Sequence, residues 1–252
     1  MTMLGLPGHI TTCLFDLDGV IIRSTHLHNA AWGQALGEFL AWWSEQDGRR
    51  AVAPYDADTD YRSYLDGKRR VDGARSFLAS RDITLPDGRP TDPAGAPTLH
   101  GLGNRKHQLS DRLISERGVA AYPGSLEYLR AVMDSGLKTG LVTSSANSAR
   151  MLAGAGIDGL FEVRVDARTA ASEGLRGKPF PDTFLIGARW LNAEPRETAV
   201  FEDAPAGVEA GRAGNFGYVV GVDRMDHAPT LLERGADIVV TDLSHLLTSD
   251  VH

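Results

Sequence analysis

The sequence predicts an α/β fold: a doubly wound, Rossmann-like parallel sheet interrupted after its first strand by an inserted helical segment. Two observations carry this. From Tyr122 onward, short apolar runs alternate with helical segments. One further apolar run, residues 10–15, stands alone near the start. Charged, helical sequence without a buried strand separates it from the others, as far as about Ala120. A chain of 252 residues is long enough for one large core and a smaller insert.

In order, residues 10–15 read as a buried strand that stops at Asp-Leu-Asp-Gly. Trp32, Ala35, Leu36, Phe39, Leu40 and Trp43 then recur at spacings of three and four, one face of an amphipathic helix. Residues 85–97 hold so many prolines and glycines that they predict a long loop. Pro123-Gly124 opens a helix ending near Gly136, followed by a strand at 137–143 and a helix at 144–153. Further strands are expected at 161–165, 199–202, 218–222 and 238–241, with helices near 182–191, 206–213 and 230–234. The expected division is a core made of residues 1–24 and 119–252, and an insert of residues 25–118.

Acids number 33 and bases 26, a formal charge of −7, which argues against a general nucleic-acid or membrane-surface binder. The single cysteine, Cys13, allows no intrachain disulfide and reads as a small buried apolar residue. No apolar run approaches the ~20 residues of a membrane span. The first nine residues lack the basic start and long apolar stretch of a signal peptide. A soluble, cytoplasmic protein is expected, monomeric or a weak homo-oligomer, without nucleic-acid or membrane partners.

Ligands of open parallel sheets bind where strands end at their carboxyl edge. Asp16 and Asp18 follow the first strand, Thr143 and Ser144 the second, Lys178 the third, and Glu202 and Asp203 the fourth. Four acids with one lysine suit a hard divalent cation and an anionic substrate.

These residues carry a resemblance. Phe15-Asp16-Leu17-Asp18-Gly19-Val20 is similar to the first motif of the haloacid dehalogenase superfamily of phosphotransferases. Thr143, Lys178 in Gly-Lys-Pro-Phe-Pro-Asp, and Glu202-Asp203 in Phe-Glu-Asp-Ala-Pro-Ala-Gly resemble the other three motifs in the same order. The insert then corresponds to the helical cap placed after the first motif. Asp16 is the candidate nucleophile, since a carboxylate can attack phosphorus and split one hard transfer into two easier ones. Asp18 is the candidate general acid and base. Dehalogenating relatives lack an acid there, which favours phosphoryl transfer. The resemblance implies Mg²⁺ on Asp16, Asp203 and the Asp18 backbone carbonyl, with Glu202 as a ligand or a neighbouring acceptor. Thr143 and the Ser144 N–H can donate to phosphoryl oxygens, and Lys178 can neutralise developing charge.

Within the superfamily the chain most resembles the β-phosphoglucomutase family. Ser24, His28 and Trp32 match a hinge hydroxyl, a cap histidine that governs the acid/base, and a helix tryptophan. Residues 66–72 resemble the cap loop that grips the non-reacting phosphate, with Arg70 at the family arginine, a planar fork suited to phosphate. Lys106 matches a residue facing the sugar, and Ser145 and Asn147 match phosphate-site residues. Between these two the family has a lysine and this chain has Ala146. The implied activity interconverts β-glucose 1-phosphate and glucose 6-phosphate, with a cap that closes and excludes water. With water as acceptor, the same residues would make a phosphatase of sugar phosphates. A catalytically idle phosphometabolite sensor would need neither the intact acids nor Lys178.

Overall fold

The computed structural model describes residues 2–46 and 52–249, so Met1 and residues 250–252 of the expected core lie outside the described residues. The elements run β1 (Thr2–Met3), β2 (Thr12–Phe15), α1 (Thr25–Ser44), α2 (Arg70–Ala79), α3 (Leu99–Arg117), α4 (Pro123–Asp134), β3 (Lys138–Val142), α5 (Ser148–Gly154), β4 (Val163–Val165) and α6 (Ala167–Ser172). They continue α7 (Asp182–Trp190), β5 (Thr198–Glu202), α8 (Pro205–Ala213), β6 (Tyr218–Val222), α9 (Ala228–Glu233), β7 (Ile238–Val240) and β8 (Thr248–Ser249). Two compact units result: Met1–Arg23 with Val119–His252, and Ser24–Gly118.

In the first unit, six strands form a parallel sheet in the order β4-β3-β2-β5-β6-β7, while β1 and β8 pair antiparallel apart from it. β2 lies between β3 and β5, with Phe15 level with Leu141 on one side and Phe201 on the other. Such a strand is covered on both faces, and all four residues of β2 are fully buried. Alternate side chains go to opposite faces. Leu14, Val142 and Val200 join a cluster with Phe184 of α7 and Val208 of α8. On the other face Phe15 stacks on Phe201 at 4.4 Å between centroids, and Tyr128 of α4 tilts against Phe201 at 5.5 Å. The strand that leads into Asp16 is therefore wedged between two apolar layers at the point where the strand order reverses direction.

The expected helix at 144–153 begins only at Ser148. The Thr143 hydroxyl accepts from the Ser145 N–H at 3.0 Å and the Ser145 hydroxyl from the Asn147 N–H at 3.2 Å. These local bonds satisfy amides that a helix would otherwise use and keep residues 144–147 as a loop. α6 was not anticipated. Asp166 caps it, accepting from the Arg168 and Thr169 N–H groups.

In the second unit α1 packs on α3 and α3 on α2. The buried face of α1 runs through Leu27, Ala31, Trp32, Ala35, Leu36, Phe39 and Leu40, while Trp43 is only half-buried. Residues 85–97 form no regular element, yet they are tied down. The Thr98 hydroxyl donates to Asp92 at 2.7 Å and accepts from the Gly101 N–H at 2.9 Å, so one side chain both caps α3 and anchors the loop. Thr98→Ala should cost about 1–2 kcal/mol, read as a lower urea midpoint; an unchanged midpoint would show that the cap is idle. Among the described residues no helix is long and apolar enough to cross a membrane.

Candidate active site

Asp16 is the first residue past β2, and its N–H donates to the Phe201 carbonyl at 2.9 Å, extending the sheet pairing by one step. Its side chain is buried against Lys178. The Lys178 ammonium has three N–H donors, and the structure supplies three acceptors: Asp16 Oδ1 at 2.5 Å, Glu202 Oε1, and the Val142 carbonyl at 3.2 Å. Burial alone would push this ammonium down, but the Asp16 and Glu202 carboxylates outweigh it and hold it well above the usual lysine range. Burial pushes the Asp16 carboxyl above its usual range; Lys178 pulls it back, while Glu202 and Asp18 push it further up.

Glu202 is fully buried as the last residue of β5, and its second oxygen accepts from the Ala204 N–H at 3.1 Å. Gly207 makes room for it: a Cβ there would lie 1.9 Å from the Glu202 carboxylate. Asp203 follows, also buried. Asp18 sits in a tight turn in which the Gly19 N–H donates to the Ile22 carbonyl at 2.8 Å, and Gly19 takes a positive φ of 80° that suits glycine. Thr143 is buried beyond β3, with its N–H on the Val165 carbonyl at 2.9 Å, and Ser144, Ser145 and Asn147 follow in the loop.

Asp16, Lys178, Glu202 and Asp203 thus meet at one sheet edge; Asp18 follows Asp16 past β2, and the 143–147 loop follows the neighbouring β3.

The second unit makes its own cluster. Ser24 is buried at the start of α1, its carbonyl accepting from the Leu27 and His28 N–H groups. His28 of α1 and Lys106 of α3 are both buried, with Lys106 Nζ 2.9 Å from His28 Nδ1 and 5.6 Å from the centre of the Trp32 ring. An ammonium only donates, so Nδ1 is the acceptor in this pair. Arg70 opens α2 and donates to the Gly103 carbonyl at 3.4 Å, three residues before Lys106. Burial lowers its guanidinium from the usual value, and Asp111 opposes that shift.

A family model for haloacid dehalogenase-like hydrolases matches residues 10–215. The chain belongs to the haloacid dehalogenase-like hydrolases. The β-phosphoglucomutase of Mycobacterium bovis is 48% identical over 248 residues, covering 97% of this chain and 94% of that protein. The β-phosphoglucomutase of Bacillus subtilis is 31% identical over 239 residues, covering 95% and 92%. A crystal structure of β-phosphoglucomutase from Clostridium difficile has a TM-score of 0.71 at 25% identity, covering 94% of this chain and 93% of that one.

This haloacid dehalogenase-like hydrolase has a donor set that fits a hard divalent cation. Asp16, Glu202 and Asp203 each offer a carboxylate oxygen, all within 4.8 Å of one another and all buried. One ammonium cannot offset three buried carboxylates, and oxygen-only donors suit Mg²⁺. Arg224 and His227, which touch the loops carrying these acids, were not anticipated. No local pattern announces them, because their partners lie 205 and 24 residues away.

Proposed function

We propose that this chain is a β-phosphoglucomutase, interconverting β-D-glucose 1-phosphate and glucose 6-phosphate through β-glucose 1,6-bisphosphate, with residues 1–24 and 119–252 as catalytic core and 25–118 as cap. The substrate rests on the 48% identity to the mycobacterial β-phosphoglucomutase along nearly the whole chain. Phosphoryl transfer is supported by the contact set of Asp16, Lys178, Glu202 and Asp203. We also propose a cytoplasmic location and a monomeric or weakly associating state; the single cysteine, buried at Cys13, suits a reducing compartment.

Asp16 attacks phosphorus through a carboxylate oxygen, and the bond from phosphorus to the sugar oxygen breaks. Asp18 gives its proton to that leaving oxygen. In the return step it takes a proton from the attacking sugar hydroxyl while the phosphoryl group leaves Asp16. Lys178 keeps Asp16 aimed and neutralises charge as it builds, and the Thr143 hydroxyl and Ser144 N–H donate to the phosphoryl oxygens. Mg²⁺, held by Asp16 and Asp203 with the Asp18 carbonyl and Glu202, would offset the repulsion between carboxylate and phosphate. His28, held through Nδ1 by Lys106, governs the readiness of Asp18. Ser24, Ser145, Asn147 and Arg70 bind substrate, Arg70 taking the non-reacting phosphate.

Ala146 favours a second reading, a sugar-phosphate phosphatase, because it withdraws a cation from the grip on the second phosphate. A product assay separates the two: β-glucose 1-phosphate with catalytic glucose 1,6-bisphosphate should yield glucose 6-phosphate and little free phosphate. Arg70→Ala should lower this conversion about 10–100-fold, the equivalent of roughly 1.5–3 kcal/mol for a charge-assisted contact. Hydrolysis of a small phosphoester without a second phosphate should barely change. Mostly free phosphate from the wild type, with equal small effects of Arg70→Ala on both assays, would establish the phosphatase.

A further inference from the structure

The turn after β6, residues 223–227, delivers two side chains to the backs of the loops that carry the catalytic acids. Arg224 Nε donates to the Gly19 carbonyl at 2.9 Å, one residue past Asp18. Its guanidinium lies 3.7 Å from the centre of the Tyr122 ring and also reaches the Thr241 carbonyl at 2.5 Å. His227 is buried, with Nε2 3.1 Å from the Asp203 carbonyl. A carbonyl only accepts, so Nε2 carries the proton in this bond. Asp223 holds the turn itself. Its carboxylate accepts from the N–H groups of Met225 at 3.1 Å, His227 at 3.0 Å and Ala228 at 3.1 Å. Asp226 takes a φ of 52°, in the left-handed region that aspartate enters more readily than most residues.

The carboxylates of Asp16, Glu202 and Asp203 repel one another across less than 4.8 Å, so without a restraint they would splay apart. Lys178 restrains Asp16 and Glu202 through their side chains. The main chain at Asp203 is held on one side by the Ala204 N–H on Glu202, and on the other by His227. We propose that His227 and Arg224 are positioning residues for phosphoryl transfer, gripping the Asp203 and Gly19 carbonyls so that Asp16 and Asp203 converge on one cation. This rests on the assignment of Asp16 and Asp203 as cation ligands made above.

The test uses Mn²⁺ as a paramagnetic stand-in for Mg²⁺, its free concentration followed by electron paramagnetic resonance during titration into the whole protein. His227→Leu removes the donor, whereas His227→Gln keeps an N–H near the place of Nε2. His227→Leu should weaken Mn²⁺ binding tenfold or more, the range seen when a group supporting a metal ligand is lost. His227→Gln should recover most of the affinity, and kcat should follow the same order while KM for the sugar phosphate changes little. Should His227→Leu fail to fold, Arg224→Met is decisive in the same titration and should weaken binding severalfold. Wild-type affinity in every folded variant, or His227→Gln no better than His227→Leu, would overturn the clamp while leaving the cation site standing. Absence of Mn²⁺ binding by the wild type would instead overturn the cation site, and the clamp with it.

Discussion

Asp16→Asn should reduce turnover by several orders of magnitude and leave the fold intact. An amide oxygen at the same place is a poor nucleophile toward phosphorus, and Asp16 is the carboxylate that directly follows the strand wedged between β3 and β5. At about pH 4 stability should move little, because Lys178 keeps Glu202 and the Val142 carbonyl as partners. The pH dependence has a definite sign. Burial raises the Asp16 carboxyl above its usual range in the fold. In the cation-free protein its contribution to stability is therefore complete at low pH, and is lost as pH rises through the raised value. Asparagine suffers no such loss, so the variant's urea midpoint should gain on the wild type as pH rises above about 4. Single-turnover product formation and urea titrations at three pH values check both parts. Near wild-type turnover in a clean preparation would remove Asp16 from the mechanism.

Lys178→Met should be the most damaging substitution for the folded state. The ammonium is almost fully buried and lies between two carboxylates, of which Glu202 has no exposure at all. Removing one partner of a buried ion pair strands the other charge, at a cost of about 3–5 kcal/mol. Turnover should fall below detection, because Asp16 loses the group that aims it. Saturating Mg²⁺ should restore part of the lost stability by supplying positive charge to the same cluster, an effect that follows from binding to the folded state alone. Urea unfolding with and without Mg²⁺ measures this. A loss under about 1 kcal/mol would mean that water or neighbouring groups already neutralise the acids.

The centre of the site was legible because each central strand is a short apolar run that stops at a polar residue. Asp16, Thr143 and Glu202 fall at such stops, and parallel pairing then puts them on one edge. Lys178 was legible only through its motif, since it lies in a loop between α6 and α7, well past β4. Residues 144–147 have a helical pattern in the sequence but form a loop, because the Thr143 and Ser145 hydroxyls compete for backbone amides, and composition does not reveal that competition. α6 was passed over although Asp166 stands where a cap belongs; six residues rich in alanine give too short a pattern. Trp43 fits the helical spacing of α1, yet the covered face of that helix fades before its end. Arg224 and His227 had no signal, because what they hold is main chain brought close only by the finished sheet.

β2 is the central strand of the sheet, yet both of its neighbours arrive late: β3 begins at Lys138 and β5 at Thr198. During synthesis at ~5–20 residues per second, the segment Thr12–Phe15 waits roughly 10–40 s before its second neighbour exists. The intervening unit, built from helices close to one another along the chain, can be completed first, because its loops are short to close. Nascent chains halted before residue 198 should therefore hold a protease-resistant helical unit beside an unprotected apolar strand. That strand would need a chaperone's cover until its neighbours arrive, and the proposed nucleophile is the residue that follows it.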